Sequence, residues 1–157
     1  MSKGNVDFID DNEYYTPPEL VALFGTIDYD PATTLERAKI LGIVDYDTEE
    51  SDGLKQDWTR YKRIWINPPF TIKHLFWEKA WETYNQVKNE IYFLCPIEFL
   101  TTKRFHNFFR GGIIYLPNGR IKFQKSDGTR KSPAFGSVVI KLGDNEPIVK
   151  LLNLENV

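Results

Sequence analysis

The stretch Arg-Ile-Trp-Ile-Asn-Pro-Pro-Phe at 63–70 constrains the fold more than any other part of the chain. Its apolar run reads as a strand, and the strand has to stop at Asn67. A residue before proline is pushed into extended geometry, and proline cannot donate to a sheet ladder. The segment after it, 73–89, puts Leu75, Phe76, Lys79, Ala80, Tyr84 and Val87 at helical spacing. "EIYFLCP" at 90–96 then reads as a buried strand.

The same alternation runs upstream. "TPPELVALFG" reads as a short helix with Thr16 as N-cap, Pro17 at the first helical position, Glu19 closing a capping box and Gly25 as the stop. "TIDYDPA" is a strand leaving at Pro31, "TLERAKILG" a short helix, and "IVDYD" a second strand. Downstream, "TTKRFHNFF" is a short helix, and "GIIYLP", "SVVIKL" and "IVKLLNL" are strands. Strands alternate with helices first and then follow one another. That order predicts an α/β fold: a three-layer sheet, mostly parallel, with an antiparallel edge near the C-terminus.

A length of 157 residues, 41% of them hydrophobic, suits one domain with a real core. Residues 1–13 read as a polar, flexible arm and 14–157 as a single domain. No hydrophobic signal region precedes the acidic cluster at the N-terminus and no apolar run is long enough to span a bilayer, so a soluble, cytoplasmic protein is expected. Cys95 lies in an apolar run and reads as a buried, inert thiol. With two histidines in the chain, no metal site is expected.

The net charge of -2 hides an uneven distribution. Residues 45–52, "DYDTEESD", carry five carboxylates and no base. Residues 101–110 carry Lys103, Arg104 and Arg110 with no acid, and 120–131 carry Arg120, Lys122, Lys125, Arg130 and Lys131. Each patch has a plain reading as solvated surface.

Asn67 ends a strand at the edge where open parallel sheets bind ligands. The prolines fix the backbone after it, so the Asn67 side chain and the Pro68 carbonyl can be held as two acceptors, with Phe70 as a flat apolar face. That combination suits an amino group on a planar ring. The amino nitrogen of adenine is a poor nucleophile because its lone pair is delocalised; two acceptors on its hydrogens stabilise the positive charge that develops as it attacks. Phe70 would stack on the base once it had left the helix. Chance gives Asn, Asp or Ser, then Pro-Pro, then an aromatic in about 1% or fewer of chains this long, which favours a functional reading.

With these residues in view, the sequence resembles the S-adenosylmethionine-dependent amino-methyltransferases, and within them the small phage-type DNA adenine-N6 methyltransferases. "YYTPPELV" is similar to the family's N-terminal cofactor motif, "DYDPAT" to its first-strand motif, and "SDGLKQDW" to the segment ahead of the catalytic strand. "WINPPF" is similar to its catalytic motif, and "GRIKF" with "PAFGSVVI" to its C-terminal signature. The resemblance implies a Rossmann-like methyltransferase sheet, with Asn67, Pro68, Pro69 and Phe70 holding the target adenine. It implies that Tyr15, Thr16 and Pro17 lie by the methionine end of S-adenosylmethionine, with Asp30, Pro31 and Ala32 at the first strand's end by the same cofactor, and Asp52 at its adenine or ribose. Double-stranded DNA is the implied partner, in a bacterial cell infected by or carrying the phage, and the basic excursion of Arg120, Lys122, Lys125, Arg130 and Lys131 is the candidate DNA contact.

One departure stands out: the first-strand motif of many methyltransferases is rich in glycine, and "DYDPATT" has none. Methylation of cytosine N4 or of a protein glutamine by the same motif, and a non-catalytic DNA-binding protein on the same fold, stay open as alternatives.

Overall fold

The computed structural model describes residues 14–155; the arm expected at 1–13 lies outside them. Nine strands are present among these residues: β1 (Tyr29–Asp30), β2 (Asp45–Tyr46), β3 (Arg63–Ile66), β4 (Glu90–Pro96), β5 (Gly112–Pro117), β6 (Phe123–Gln124), β7 (Arg130–Lys131), β8 (Ser137–Leu142) and β9 (Ile148–Leu152). The α-helices are α1 (Pro18–Ala22), α2 (Leu35–Leu41), α3 (Lys73–Val87) and α4 (Lys103–His106). Seven strands form one mixed sheet in the order β2-β1-β3-β4-β8-β5-β9, and β6 and β7 pair as a separate antiparallel hairpin.

β1, β2, β3 and β4 run parallel, so the ends of β1 at Asp30 and of β3 at Ile66 open on the same edge of the sheet. β3 is buried on both faces, which is why it reads as a continuous apolar run rather than an alternating one. Ile64 and Ile66 join a core with Phe76, Trp77, Trp81 and Phe105, while Trp65 joins another with Leu20, Val21, Ile43 and Phe123. Helices therefore cover β3 from both sides: α3 and α4 on one, α1 on the other.

α3 is where the sequence reading placed it, but its buried stripe is rotated. Phe76, Trp77, Ala80, Trp81 and Thr83 face inward, whereas Leu75 and Val87 are 41% and 44% exposed. Two indoles one turn apart bury far more apolar area than Leu75 and Val87 can, and they take the sheet-facing side. Trp77 packs against Phe93 and Phe105 at ring distances of 4.8 and 5.1 Å.

Two further expectations are corrected. The antiparallel strand is not the C-terminal edge: β8 lies inside the sheet between β4 and β5, and the edge strand β9 pairs parallel to β5. Burial explains the exchange. Val138, Val139 and Ile140 of β8 are fully buried, while Val149 and Leu151 of β9 are 60% and 83% exposed around Lys150, a pattern suited to an edge. Nor is Thr16 the N-cap of α1. Pro17 takes that position with no side-chain cap, and the Glu19 carboxylate pairs with Arg130 of β7 at 2.7 Å instead of closing a capping box. No helix among the described residues is long and apolar enough to cross a membrane.

Candidate active site

Asn67 follows β3 directly, and two prolines stiffen the chain behind it. Its Nδ2 donates to the Tyr14 carbonyl oxygen and to the Thr16 hydroxyl, both at 3.0 Å. A carbonyl oxygen only accepts, so the nitrogen of the amide is fixed on that side and the oxygen on the other. No described residue donates to Asn67 Oδ1. Thr16, expected beside a cofactor, thus also orients Asn67.

Asn67 lines a crevice with Tyr14, Pro68, Phe70, Lys73, Phe123 and Phe135. Three of these rings touch one another: Tyr14 and Phe70 at 5.5 Å, Tyr14 and Phe135 at 5.7 Å, Phe70 and Phe135 at 5.3 Å. Phe70 opens a single 3₁₀ turn, and its carbonyl accepts a 2.7 Å hydrogen bond from Lys73 Nζ. Cys95 reaches the same crevice, where burial pushes its thiol far up and keeps it neutral.

The segment 14–16 is strapped down from two directions. Tyr15 and Gln124 of β6 exchange backbone hydrogen bonds of 3.0 and 2.9 Å. Arg37 of α2, 8% exposed, donates from Nη2 to the Thr16 carbonyl at 3.0 Å and to Gln124 Oε1 at 2.7 Å, with its guanidinium 4.8 Å from the Tyr15 ring centre. It has no carboxylate partner within salt-bridge distance among the described residues. Tyr15 therefore holds the strap while Tyr14 enters the crevice.

Asp30 ends β1 with its side chain buried and its Oδ1 accepting the Ala32 N–H at 2.9 Å. Burial pushes this carboxyl up to about 7, against the smaller opposing effect of that hydrogen bond. Pro31 is buried and packs against Gly53, where an added Cβ would lie 1.9 Å from the Pro31 carbonyl oxygen. The facing loop "SDG" thus carries a glycine where it meets the glycine-free "DPATT". Asp52 adopts a left-handed backbone (φ 57°), and its Oδ1 accepts the Leu54 N–H at 3.1 Å, so part of this carboxylate is already used as a local cap.

The basic excursion is a hairpin folded back on the strap. Lys125 and Lys131 stand 5.5 and 5.9 Å from the Tyr14 ring centre. Arg130 makes a two-pronged pair with Glu19, and Arg120 donates to the Pro133 carbonyl. Lys122 is exposed. The structure gathers Asn67, Pro68, Phe70 and Thr16 in one place and Asp30, Pro31 and Asp52 in a second, while Arg120, Lys122 and Arg130 line neither.

Sequence reasoning missed Tyr14, Phe135 and Arg37. The doubled tyrosine in "YYTPP" and the lone aromatic before a glycine in "PAFGS" were available signals. Arg37 carried none, since an arginine in the first turn of a short helix reads as surface. Among the described residues no group of three His, Cys, Asp or Glu side chains converges as a metal-holding set.

Residues 11–147 match the family model described as DNA N-6-adenine-methyltransferase (Dam). No curated protein matches the chain.

Proposed function

The chain belongs to the DNA N-6-adenine-methyltransferase (Dam) family, and on that premise we propose that it transfers a methyl group from S-adenosylmethionine to the N6 amino group of an adenine in duplex DNA. The observation that carries the reading is the anchored amide of Asn67. With Nδ2 committed to Tyr14 and Thr16, Oδ1 is left as a fixed acceptor in a crevice that Pro68 and Phe70 also line.

In this reading an adenine flipped out of the helix lies on Phe70, edged by Tyr14 and Phe135. Asn67 Oδ1 and the Pro68 carbonyl accept from its two amino hydrogens. Held that way, the nitrogen moves toward a tetrahedral shape and its developing positive charge is met by two preorganised dipoles. Asn67 is neutral and takes no proton, so the surplus proton leaves after transfer. Pro69 fixes the backbone between acceptor and ring.

S-adenosylmethionine, when bound, supplies a methyl group on a sulfonium centre. The residues fit such a ligand. Burial pushes the Asp30 carboxyl toward neutrality, and a sulfonium or ammonium group placed beside it would favour its charged form. Thr16, Tyr15 and Pro17 belong to the strap beside Asn67, Ala32 keeps the first loop small, and Asp52 would offer Oδ2, which lies 4.0 Å from Lys55 Nζ, to a ribose hydroxyl. We take the sheet as a three-layer Rossmann-like methyltransferase fold in one domain over 14–157, a view supported by the apolar cores on its two faces. Lys122, Lys125 and Lys131 of the hairpin region, with Arg120 and Arg130, are assigned to DNA phosphates.

The test is transfer of a labelled methyl group to duplex DNA, followed by nucleoside analysis, with Asn67→Ala as control. Label in N6-methyladenine, lost in the variant, supports the reading. Label appearing as N4-methylcytosine or only in protein overturns the adenine assignment, and an undiminished Asn67→Ala rate overturns the mechanism.

A further inference from the structure

A second, wider cleft opens on the other side of Phe70. It shares Phe70, Lys73 and Pro96 with the Asn67 crevice and is otherwise lined by His74, Glu98, Arg104 and their neighbours. None of Thr16, Asp30 and Asp52, assigned to the cofactor, reaches it.

Its chemistry is cationic and crowded. Arg104 Nη1 lies 3.1 Å from His74 Nδ1, and Lys73 stands 6.0 Å from the Phe70 ring centre and 5.7 Å from that of Phe99. Burial, with Arg104 adding to it, pulls Lys73 and His74 below their ordinary values. Neither Lys73 nor Arg104 has a carboxylate within salt-bridge distance among the described residues, although Glu98 is on the rim. Like charges gathered at a cleft without a counter-ion disfavour one another until an anion joins them. α3, of 15 residues, also starts at Lys73 with no side-chain cap, so the positive end of its dipole adds to the same field.

We propose that this cleft seats a phosphodiester of the target strand next to the flipped adenine, with Arg104 and Lys73 as its charged contacts. The proposal rests on the DNA-methyltransferase reading and extends it to a contact on the α3–α4 face, opposite the hairpin. A base leaving the helix has to bring its own backbone with it. Lys73 ties the two sites together because it also holds the Phe70 carbonyl.

The experiment is fluorescence anisotropy of the full chain with a labelled mixed-sequence duplex over a range of salt concentrations. Arg104→Gln is compared with Arg104→Lys and with Lys150→Gln on the distant edge strand. Each phosphate contact contributes about one unit to the slope of log affinity against log salt. Arg104→Gln is expected to bind about 5- to 10-fold more weakly with a slope reduced by about 1, while Arg104→Lys keeps the slope and Lys150→Gln matches the wild type. S-adenosylhomocysteine binding, followed by calorimetry, should be unchanged in all three. An unaltered slope in Arg104→Gln overturns the cleft assignment while leaving the parent reading standing. A wild-type chain with no salt-dependent DNA binding overturns both.

Discussion

Asn67 Nδ2 and the Thr16 hydroxyl are 3.0 Å apart, which joins the end of β3 to a segment 51 residues earlier in the chain. Thr16→Val keeps the shape and removes the acceptor. Loss of one neutral hydrogen bond is worth about 1 kcal/mol, so the methyl-transfer rate should fall about 5- to 10-fold. Asn67→Ala, which removes an acceptor from the reacting nitrogen itself, should cost about 100-fold or more. Single-turnover assays at saturating DNA measure both; a Thr16→Val rate equal to wild type would break the link between strap and amide.

Arg37 holds that strap from below. Arg37→Met leaves the Thr16 carbonyl and Gln124 Oε1 without their donor, at an expected cost of about 1 to 3 kcal/mol in stability. The expected kinetic signature is a lower kcat with little change in KM for DNA, and Arg37→Lys should recover part of it. Urea unfolding and steady-state kinetics on the same preparations separate the two effects.

Asp30 predicts a pH dependence of unusual sign. Its folded carboxyl titrates near 7 against an ordinary value of 3.8, so between about pH 4 and pH 7 the folded state binds a proton that the unfolded chain has lost. Stability from this group therefore declines as pH rises through that window, by an amount on the order of 4 kcal/mol. Asp30→Asn retains an acceptor for the Ala32 N–H and should flatten the decline in denaturant midpoints between pH 5 and pH 8. Because a bound cation favours the carboxylate, cofactor binding at pH 6 should release a proton in wild type and none in the variant, which calorimetry in two buffers detects.

Gly53→Ala tests the contact between the loop after β1 and the loop of Asp52 and Gly53. Its new methyl would meet the Pro31 carbonyl, part of the backbone, so the loops must part. Overpacking of this kind costs about 1 to 3 kcal/mol, or a fall in Tm of about 3 to 10 °C. Weaker S-adenosylhomocysteine binding should accompany it, whereas an unchanged Tm would show that the loops do not depend on this contact.

Much of this was legible in the sequence because the signals were local. Paired prolines end β3, the spacing of 73–87 gives α3, and the Asn-Pro-Pro-Phe box marks the crevice. What the sequence hid depends on partners far along the chain. Thr16 looks like a helix cap until Asn67 is seen to claim its hydroxyl, and Glu19 looks like half of a capping box until Arg130 reaches it. "DPATT" departs from the family's motif in having no glycine, and nothing local in the sequence shows that Gly53 packs against its Pro31. β8 was read as part of the edge because sequence order says nothing about which strand is inserted between which.

That insertion sets the order of events during synthesis. β4 and β5 are made well before β8, yet they have no correct neighbour on their facing sides until residues 137–142 arrive, and Gln124, which pins Tyr15, also emerges late. A ribosome-bound chain of the first 120 residues would carry the Asn-Pro-Pro-Phe box with Tyr14 and Thr16, but neither Gln124, which pins Tyr15, nor Phe135, which edges the crevice. The crevice around Asn67 is therefore complete only once residues 123–142 have been made.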